Sequence, residues 1–347
     1  MWSRSARSLI VATVVIFGVL PACRASEEKS EASEVQPAQN GTSPAGSSGN
    51  DAYTATANPV PHSGPGAVPS LCLELLAPRS KVLVGEPVVL IVSLRNCSST
   101  EKTVLDVLSP EYRFLTTFVT RPGQKAEVRY EPGVVRERRG KSSRRLAPGE
   151  RLTAWIPLHV DRSGWFLRQP GTYGVRAVLA VEDGRIESNR VAIEVVSARN
   201  AADTRAADIF MSPEVGRSAL EGATPGSKGW SSLEALVKEY PESRLAPYAL
   251  LATGITRTRT VFNPATKSFQ KPDCPRAVEE LRTALPHLED PLLAARGTLA
   301  LSECLEALGR TGAARESVSE YYRLHPEARK LPGVADVFQS ATSRSNR

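Results

Sequence analysis

Histidine is scarce in this chain, and the local patterns that usually accompany catalysis are missing. Of 347 residues only 4 are histidine, namely His62, His159, His287 and His325, and no two of them have the spacing of metal ligands. HExxH, paired CxxC and Gly-x-Ser-x-Gly do not occur, nor do the P-loop and dinucleotide fingerprints. Their absence removes the motif-borne forms of metallohydrolase, serine hydrolase, nucleotide and dinucleotide chemistry. The chain is therefore read as a non-enzyme with no metal and no cofactor. The adjacent carboxylates Glu279-Glu280 and Glu289-Asp290 read as solvated surface. Aromatic residues make up only 6%. Beyond the first twenty residues no apolar run approaches the length needed to span a bilayer, so the body of the chain is expected to be soluble. The net charge of +7 is mild, and no nucleic-acid partner is expected.

What is present begins at the N-terminus. Arg4 and Arg7 precede an apolar run over residues 9–20, too short to cross a membrane and flanked like a secretory leader. It closes on Leu20-Pro21-Ala22-Cys23, which resembles the lipobox of bacterial lipoproteins, with Pro21 departing from the usual Ser or Ala. The resemblance implies a signal peptide over residues 1–22 and a diacylglycerol thioether on Cys23. Several acyl chains, at roughly 0.8 kcal/mol per buried CH₂, hold a protein on a membrane. Residues 23–69 are rich in Ser, Ala, Gly, Pro and Glu and poor in large apolar side chains, the composition of a disordered tether. A random coil of that length reaches roughly 40 Å. The implied location is the cell envelope, lipid-anchored. Arg24 after the cysteine favours the periplasmic face of the outer membrane if the host is Gram-negative.

Residues 70–198 carry short β-type runs separated by Pro-Gly and Gly-Glu-Pro turns, at about 71–76, 87–94, 103–107, 114–119, 126–130, 152–160, 172–181 and 190–196. Val88, Leu90, Val92 and Leu94 alternate with Val89, Ile91, Ser93 and Arg95, which suits a strand with one buried face. Val84-Gly85-Glu86-Pro87-Val88, Leu146-Ala147-Pro148-Gly149-Glu150, Gln169-Pro170-Gly171-Thr172-Tyr173 and Ser188-Asn189-Arg190-Val191 resemble the immunoglobulin-like domains of bacterial envelope proteins. Tyr173 stands where that fold places a corner tyrosine. Cys72 and Cys97 fall on the first two strands, nearly opposite one another, and a cross-strand disulfide is expected. The other reading is two free buried thiols. Arg136, Arg138, Arg139, Lys141, Arg144 and Arg145 crowd one loop opposed only by Glu137. Such a loop could meet anionic lipid or an acidic polymer; the alternative is a solvated connection.

Residues 199–229 read as a linker with room for a short helix, and residues 230–343 follow a helical period. Helical runs are expected near 233–240, 246–252, 277–285, 292–308, 313–324 and 334–342. Leu301, Gly309, Ala314 and Pro326 fall at spacings that resemble a tetratricopeptide repeat, an antiparallel helix pair. Tyr240-Pro241-Glu242-Ser243-Arg244-Leu245-Ala246 resembles the linkage between such repeats in envelope lipoproteins. A non-repeat helical bundle is the alternative. Cys274 and Cys304 each lie 15 residues from the centre of the loop near residue 289, at equal heights on two antiparallel helices, so a second disulfide is expected.

The fold class expected is thus an all-β immunoglobulin-like sandwich followed by an all-α tetratricopeptide-like domain. Repeat helices usually leave a groove for a partner's helix or extended peptide. Tyr248, Arg257, Arg259 and Tyr321 are the candidate walls. The function expected is a membrane-anchored scaffold or adaptor that binds an envelope protein through its helices. The alternative makes the β domain the active module, as a protease inhibitor or a sugar- or peptidoglycan-binding domain.

Overall fold

A computed structural model describes residues 70–106, 108–112, 114–133, 143–181, 184–263 and 265–338. Leu20–Cys23, the tether, and Arg136, Arg138, Arg139 and Lys141 lie outside the described residues. The β elements come first: β1 (Leu71–Leu76), β2 (Lys81–Leu83), β3 (Val89–Asn96), β4 (Lys102–Leu105), β5 (Leu115–Thr120), β6 (Glu127–Tyr130) and β7 (Ser143–Leu146). They continue with β8 (Arg151–Pro157), β9 (Val160–Asp161), β10 (Gly164–Trp165), β11 (Gly171–Val181), β12 (Gly184–Glu187) and β13 (Val191–Val196). Helices follow: α1 (Ala201–Phe210), α2 (Pro213–Glu221), α3 (Lys228–Glu239) and α4 (Ala246–Arg257). A hairpin of β14 (Val261–Asn263) and β15 (Ser268–Gln270) then precedes α5 (Cys274–Ala284), α6 (Pro291–Ala307) and α7 (Thr311–Leu324).

One antiparallel sheet has the order β1-β3-β8, and a larger one runs β2-β13-β11-β5-β6 with β12 on β11. Within the larger sheet β2 joins β13 in parallel, so that sheet is mixed. Leu75, Leu90, Val92 and Ile156 from the first sheet pack with Val119, Tyr173, Val175 and Ile193 from the second in one apolar core. The Tyr173 hydroxyl donates to the Gln169 carbonyl at 2.9 Å and accepts from the Gln169 N–H at 3.1 Å, closing the Pro-Gly corner.

The other face of β3 is not solvated. Val89 and Ile91 join Leu83, Val160 and Trp165 in a second core with Ala206, Ala207 and Phe210 of α1, and with Leu245 and Ala249 at the start of α4. At about 1.5–3 kcal/mol for each buried aliphatic side chain, Val89 and Ile91 alone contribute roughly 3–6 kcal/mol to that junction. Gly85 marks the close approach. It has φ +86°, and a Cβ there would stand 3.0 Å from the Ala207 Cα.

These observations correct the expected fold class. Mixed β sheets over residues 71–196, followed by helices over 201–338, replace a free-standing all-β immunoglobulin-like sandwich and an all-α tetratricopeptide-like domain. A hairpin interrupts the helices, and the sheet and helix parts share one core. The stretch 199–229, expected as a linker, forms α1 and α2. Asn200 caps α1, its side chain accepting the Asp203 N–H at 2.7 Å, and Ser212-Pro213 starts α2. The physical cause is visible in β3: a strand buried on both faces is apolar on both.

Both disulfides are present. Cys72 joins Cys97 with a Cα–Cα distance of 6.0 Å, and Cys274 joins Cys304 at 5.1 Å. The register places Arg95, not residue 97 or 98, opposite Cys72, so the first bridge runs diagonally across the strand pair. Loops of 25 and 30 residues are closed by the two bridges. Each closure removes about 3.5 kcal/mol of chain entropy from the unfolded state.

Candidate functional site

Helices α5, α6 and α7 enclose a groove of about 260 Å³. Two local signals set its geometry. Asp290 caps α6, its carboxylate accepting the Leu292 and Leu293 N–H groups at 2.9 and 3.0 Å, with Pro291 opening the first turn. Gly309, at φ +73°, ends α6 and reverses the chain into α7. The groove floor is apolar, with Leu285, Ala294, Leu301 and Leu324, and its rim carries Arg282 on one side and Glu316 and Glu320 on the other.

Tyr321 lines this groove but is also part of the core. It is 2% exposed, and its hydroxyl donates to the Pro291 carbonyl at 2.9 Å, tying α7 to the start of α6. Burial holds its pKa well above the usual phenol value. His325 sits at the end of α7, buried beside Tyr321, and burial lowers its pKa below the usual imidazole value. Ser317 also lines the groove, but eight residues of helix separate it from His325 by about 12 Å. Its hydroxyl donates to the Ala314 carbonyl at 2.7 Å, so the two form no nucleophile–base pair.

The other three predicted walls lie elsewhere. Tyr248 is buried at the junction between the sheets and the helices, where its hydroxyl accepts from Arg79 Nη1 at 3.0 Å. Arg257 is half-buried, paired with Glu280 at 2.9 Å and Glu234 at 3.1 Å, with its guanidinium 4.6 Å from the Trp230 ring centroid. It staples α3, α4 and α5 together. Arg259 is exposed just before the β14–β15 hairpin. Arg144 and Arg145, expected on the basic loop, lie instead on β7, where Arg144 pairs with Glu150 at 3.0 Å and Arg145 with Glu101 at 3.7 Å.

The junction itself is a charge cluster that sequence reasoning missed. Glu86, 2% exposed, accepts the Leu83 N–H at 2.7 Å and pairs with Arg79 at 3.2 Å and Arg244 at 3.3 Å. Glu289 accepts from the same two arginines at 2.6 and 3.0 Å. Burial raises the Glu86 pKa despite the adjacent Arg79, because desolvation outweighs the attraction. Asp290, fully enclosed next to this cluster, is pushed up to about 6, again by burial first. The expectation of a solvated Glu289-Asp290 pair is thus corrected for Asp290, and Asp-Pro before an apolar run was the signal that could have found it as a cap. Glu280 is likewise mostly buried, against Arg257.

In the β region His159 is 2% exposed, its Nδ1 3.2 Å from the Val88 carbonyl. A carbonyl only accepts, so the proton is on Nδ1, and burial lowers the pKa to about 4. It has the character of a core imidazole. Among the described residues no cluster of three His, Cys, Asp or Glu side chains could hold a metal ion. Among them also, no helix is long and apolar enough to cross a membrane.

No family model matches the chain, and no curated protein matches it. Solved structures give partial similarities. A β-glucosidase from Listeria innocua is 13% identical with a TM-score of 0.22, the match covering 37% of this chain and 16% of the enzyme. A β-glucosidase from Erythrobacter marinus is 18% identical at TM-score 0.22, over 36% and 15%. The CARDB domain of a Pyrococcus furiosus protein is 15% identical at TM-score 0.20, over 36% of this chain and 87% of that domain. The chain therefore spans less than a fifth of the two glucosidases, and similarity at this level carries no argument for function.

Proposed function

We propose that the protein is a lipid-anchored envelope protein that binds a segment of a partner protein in the groove between α5, α6 and α7, and that it does no chemistry of its own. The observation that carries this reading is the groove: an apolar floor about 260 Å³ in volume with charges confined to its rim. Such a trough suits the apolar side of a helix or an extended segment, the rim charges fixing its direction. The anchor rests on Leu20–Cys23 and is an independent part of the proposal.

A second reading places a ligand on the β sheets. It is favoured by a polar pocket of about 290 Å³ whose lining includes Arg121, Gln124, Arg168 and Gln169. A photoreactive benzoylphenylalanine in place of Ser317, and separately in place of Gln124, distinguishes the two in whole cells. The groove reading expects a protein adduct from position 317 and none from position 124. Adducts from position 124 alone would transfer the function to the sheets. The mass of the mature N-terminus tests the anchor: an unmodified start other than acylated Cys23 removes it.

A further inference from the structure

The β14–β15 hairpin places Phe262 directly opposite Phe269, with the ring centroids 5.3 Å apart in an edge-to-face pair. Both rings face water. Phe262 is 46% exposed and Phe269 71%. Strands of three residues cannot bury such a pair by themselves, and among the described residues no third strand joins the hairpin. A contiguous aromatic patch left in water is a contact surface waiting for an apolar medium.

The surroundings say which medium. Residues 258–272 contain Arg259, Lys267 and Lys271 and no Asp or Glu. All three cations are exposed. Protein–protein interfaces are depleted of charged residues around their apolar centre, lysine among them. Two rings inside a collar of one sign match instead a medium layered in depth, with anionic headgroups outside and hydrocarbon within.

The hairpin is also held for that task. At its base the Asp273 N–H donates to the Arg257 carbonyl at 2.8 Å, and Arg257 is fixed by Glu280 and Trp230. The Cys274–Cys304 bridge follows immediately and pins the returning strand to α6. At the other end the Asn263 side chain, 5% exposed, accepts the Ala265 and Thr266 N–H groups at 2.9 and 3.4 Å. Little ordering entropy is then left for an insertion event to supply.

We propose that the β14–β15 hairpin is a membrane wedge: Phe262 and Phe269 enter the interfacial region of an anionic bilayer while Arg259, Lys267 and Lys271 sit at the level of its phosphates. The wedge does not depend on the groove between α5, α6 and α7. It also acts whether or not an acyl anchor raises the local concentration.

The test uses the full mature chain with Phe269→Trp, in vesicles whose acyl chains carry bromine. The wedge predicts at least about twofold quenching of the added indole in phosphatidylglycerol-containing vesicles, with the wild-type chain, whose tryptophans lie elsewhere, setting the background. A variant combining Arg259→Gln, Lys267→Gln and Lys271→Gln should weaken insertion by roughly 100-fold, from about fivefold per cation near an anionic surface. Quenching no greater than wild type in these vesicles overturns the proposal. So does a Phe262→Ser, Phe269→Ser variant that leaves vesicle contact unchanged but abolishes self-association in sedimentation equilibrium, since the rings would then meet a second copy. The N-terminal mass is read on the same sample, so the wedge and the anchor can fail separately.

Discussion

Replacing Glu86 by Ala removes the carboxylate on which the sheets and the helices converge. In the native protein its two oxygens serve Arg79, Arg244 and the Leu83 N–H. The Arg79 side chain is only 11% exposed, so it cannot exchange Glu86 for bulk water, although Glu289 and the Tyr248 hydroxyl still hold it. Breaking a buried pair from one side typically costs 3–5 kcal/mol, and an orphaned backbone donor 1–3. With two of the three Arg79 partners retained, we expect the low end of that range, about 3 kcal/mol, for Glu86→Ala. Glu86→Gln keeps an oxygen for Leu83 and should cost about half as much. Urea unfolding at pH 7, followed by far-ultraviolet circular dichroism, measures both. The companion is the double variant Arg79→Met, Glu86→Met, which withdraws both charges and should recover much of the loss. A Glu86→Ala cost below about 1 kcal/mol, or a double variant worse than the single one, would refute the argument that burial sets the energetics of this cluster.

Two further predictions follow from neighbouring residues. Burial raises the folded-state pKa of Asp290 to about 6 from an ordinary carboxyl value of 3.8, so the stabilising effect of its protonation is complete below 3.8 and lost as pH rises through 6. Asp290→Asn keeps the cap and removes that dependence. Relative to wild type it should gain up to about 3 kcal/mol between pH 4 and pH 8, and urea midpoints that move in parallel across this range would contradict it. Gly85→Ala combines a positive φ with a Cβ 3.0 Å from the Ala207 Cα. It should cost about 2–4 kcal/mol in the same unfolding assay, and an unchanged midpoint would mean that α1 lies further from this turn than described.

How far the sequence could be read depended on whether a residue's partner was near in the chain. Period-two runs and Pro-Gly turns placed most strands, and the 3.6-residue period placed α3 to α7, because those patterns are local. The cysteine pairings were equally legible, since the members of each pair lie close along the chain on two antiparallel elements, although counting put residue 97 or 98 rather than Arg95 opposite Cys72. The shared core was not. Val89 and Ile91 were read as the outer face of a half-buried strand, although an outer face would have been more polar than they are. What covers them is α1, more than a hundred residues later, in a stretch whose Ala and polar residues resembled a connector.

The candidate site divided in the same way. Of the four candidate walls only Tyr321 lines the groove, and it is core as well. Arg257, another candidate wall, is bound to Glu234, Glu280 and Trp230, none of which its own neighbourhood names. Glu86 passed as a turn residue because a single charge between Gly and Pro is common there, and nothing near Arg79 marks it as its partner. Only the arrival of Arg244, Tyr248 and Glu289 makes them interior. Phe262 and Phe269 lie between the helical runs expected near 246–252 and 277–285, and their pairing needs the hairpin register.

Because β3 is apolar toward both of its neighbours, the boundary between strands and helices is a poor place to cut the gene. A product ending near residue 198 would present Val89, Ile91 and Trp165 to solvent, and one starting near 228 would present Leu245 and Ala249. Each piece would aggregate through a surface that in the intact chain is interior. For mapping a partner, point substitutions in the whole chain are informative where fragments are not, and the smallest portable unit reaches from β1 through α7.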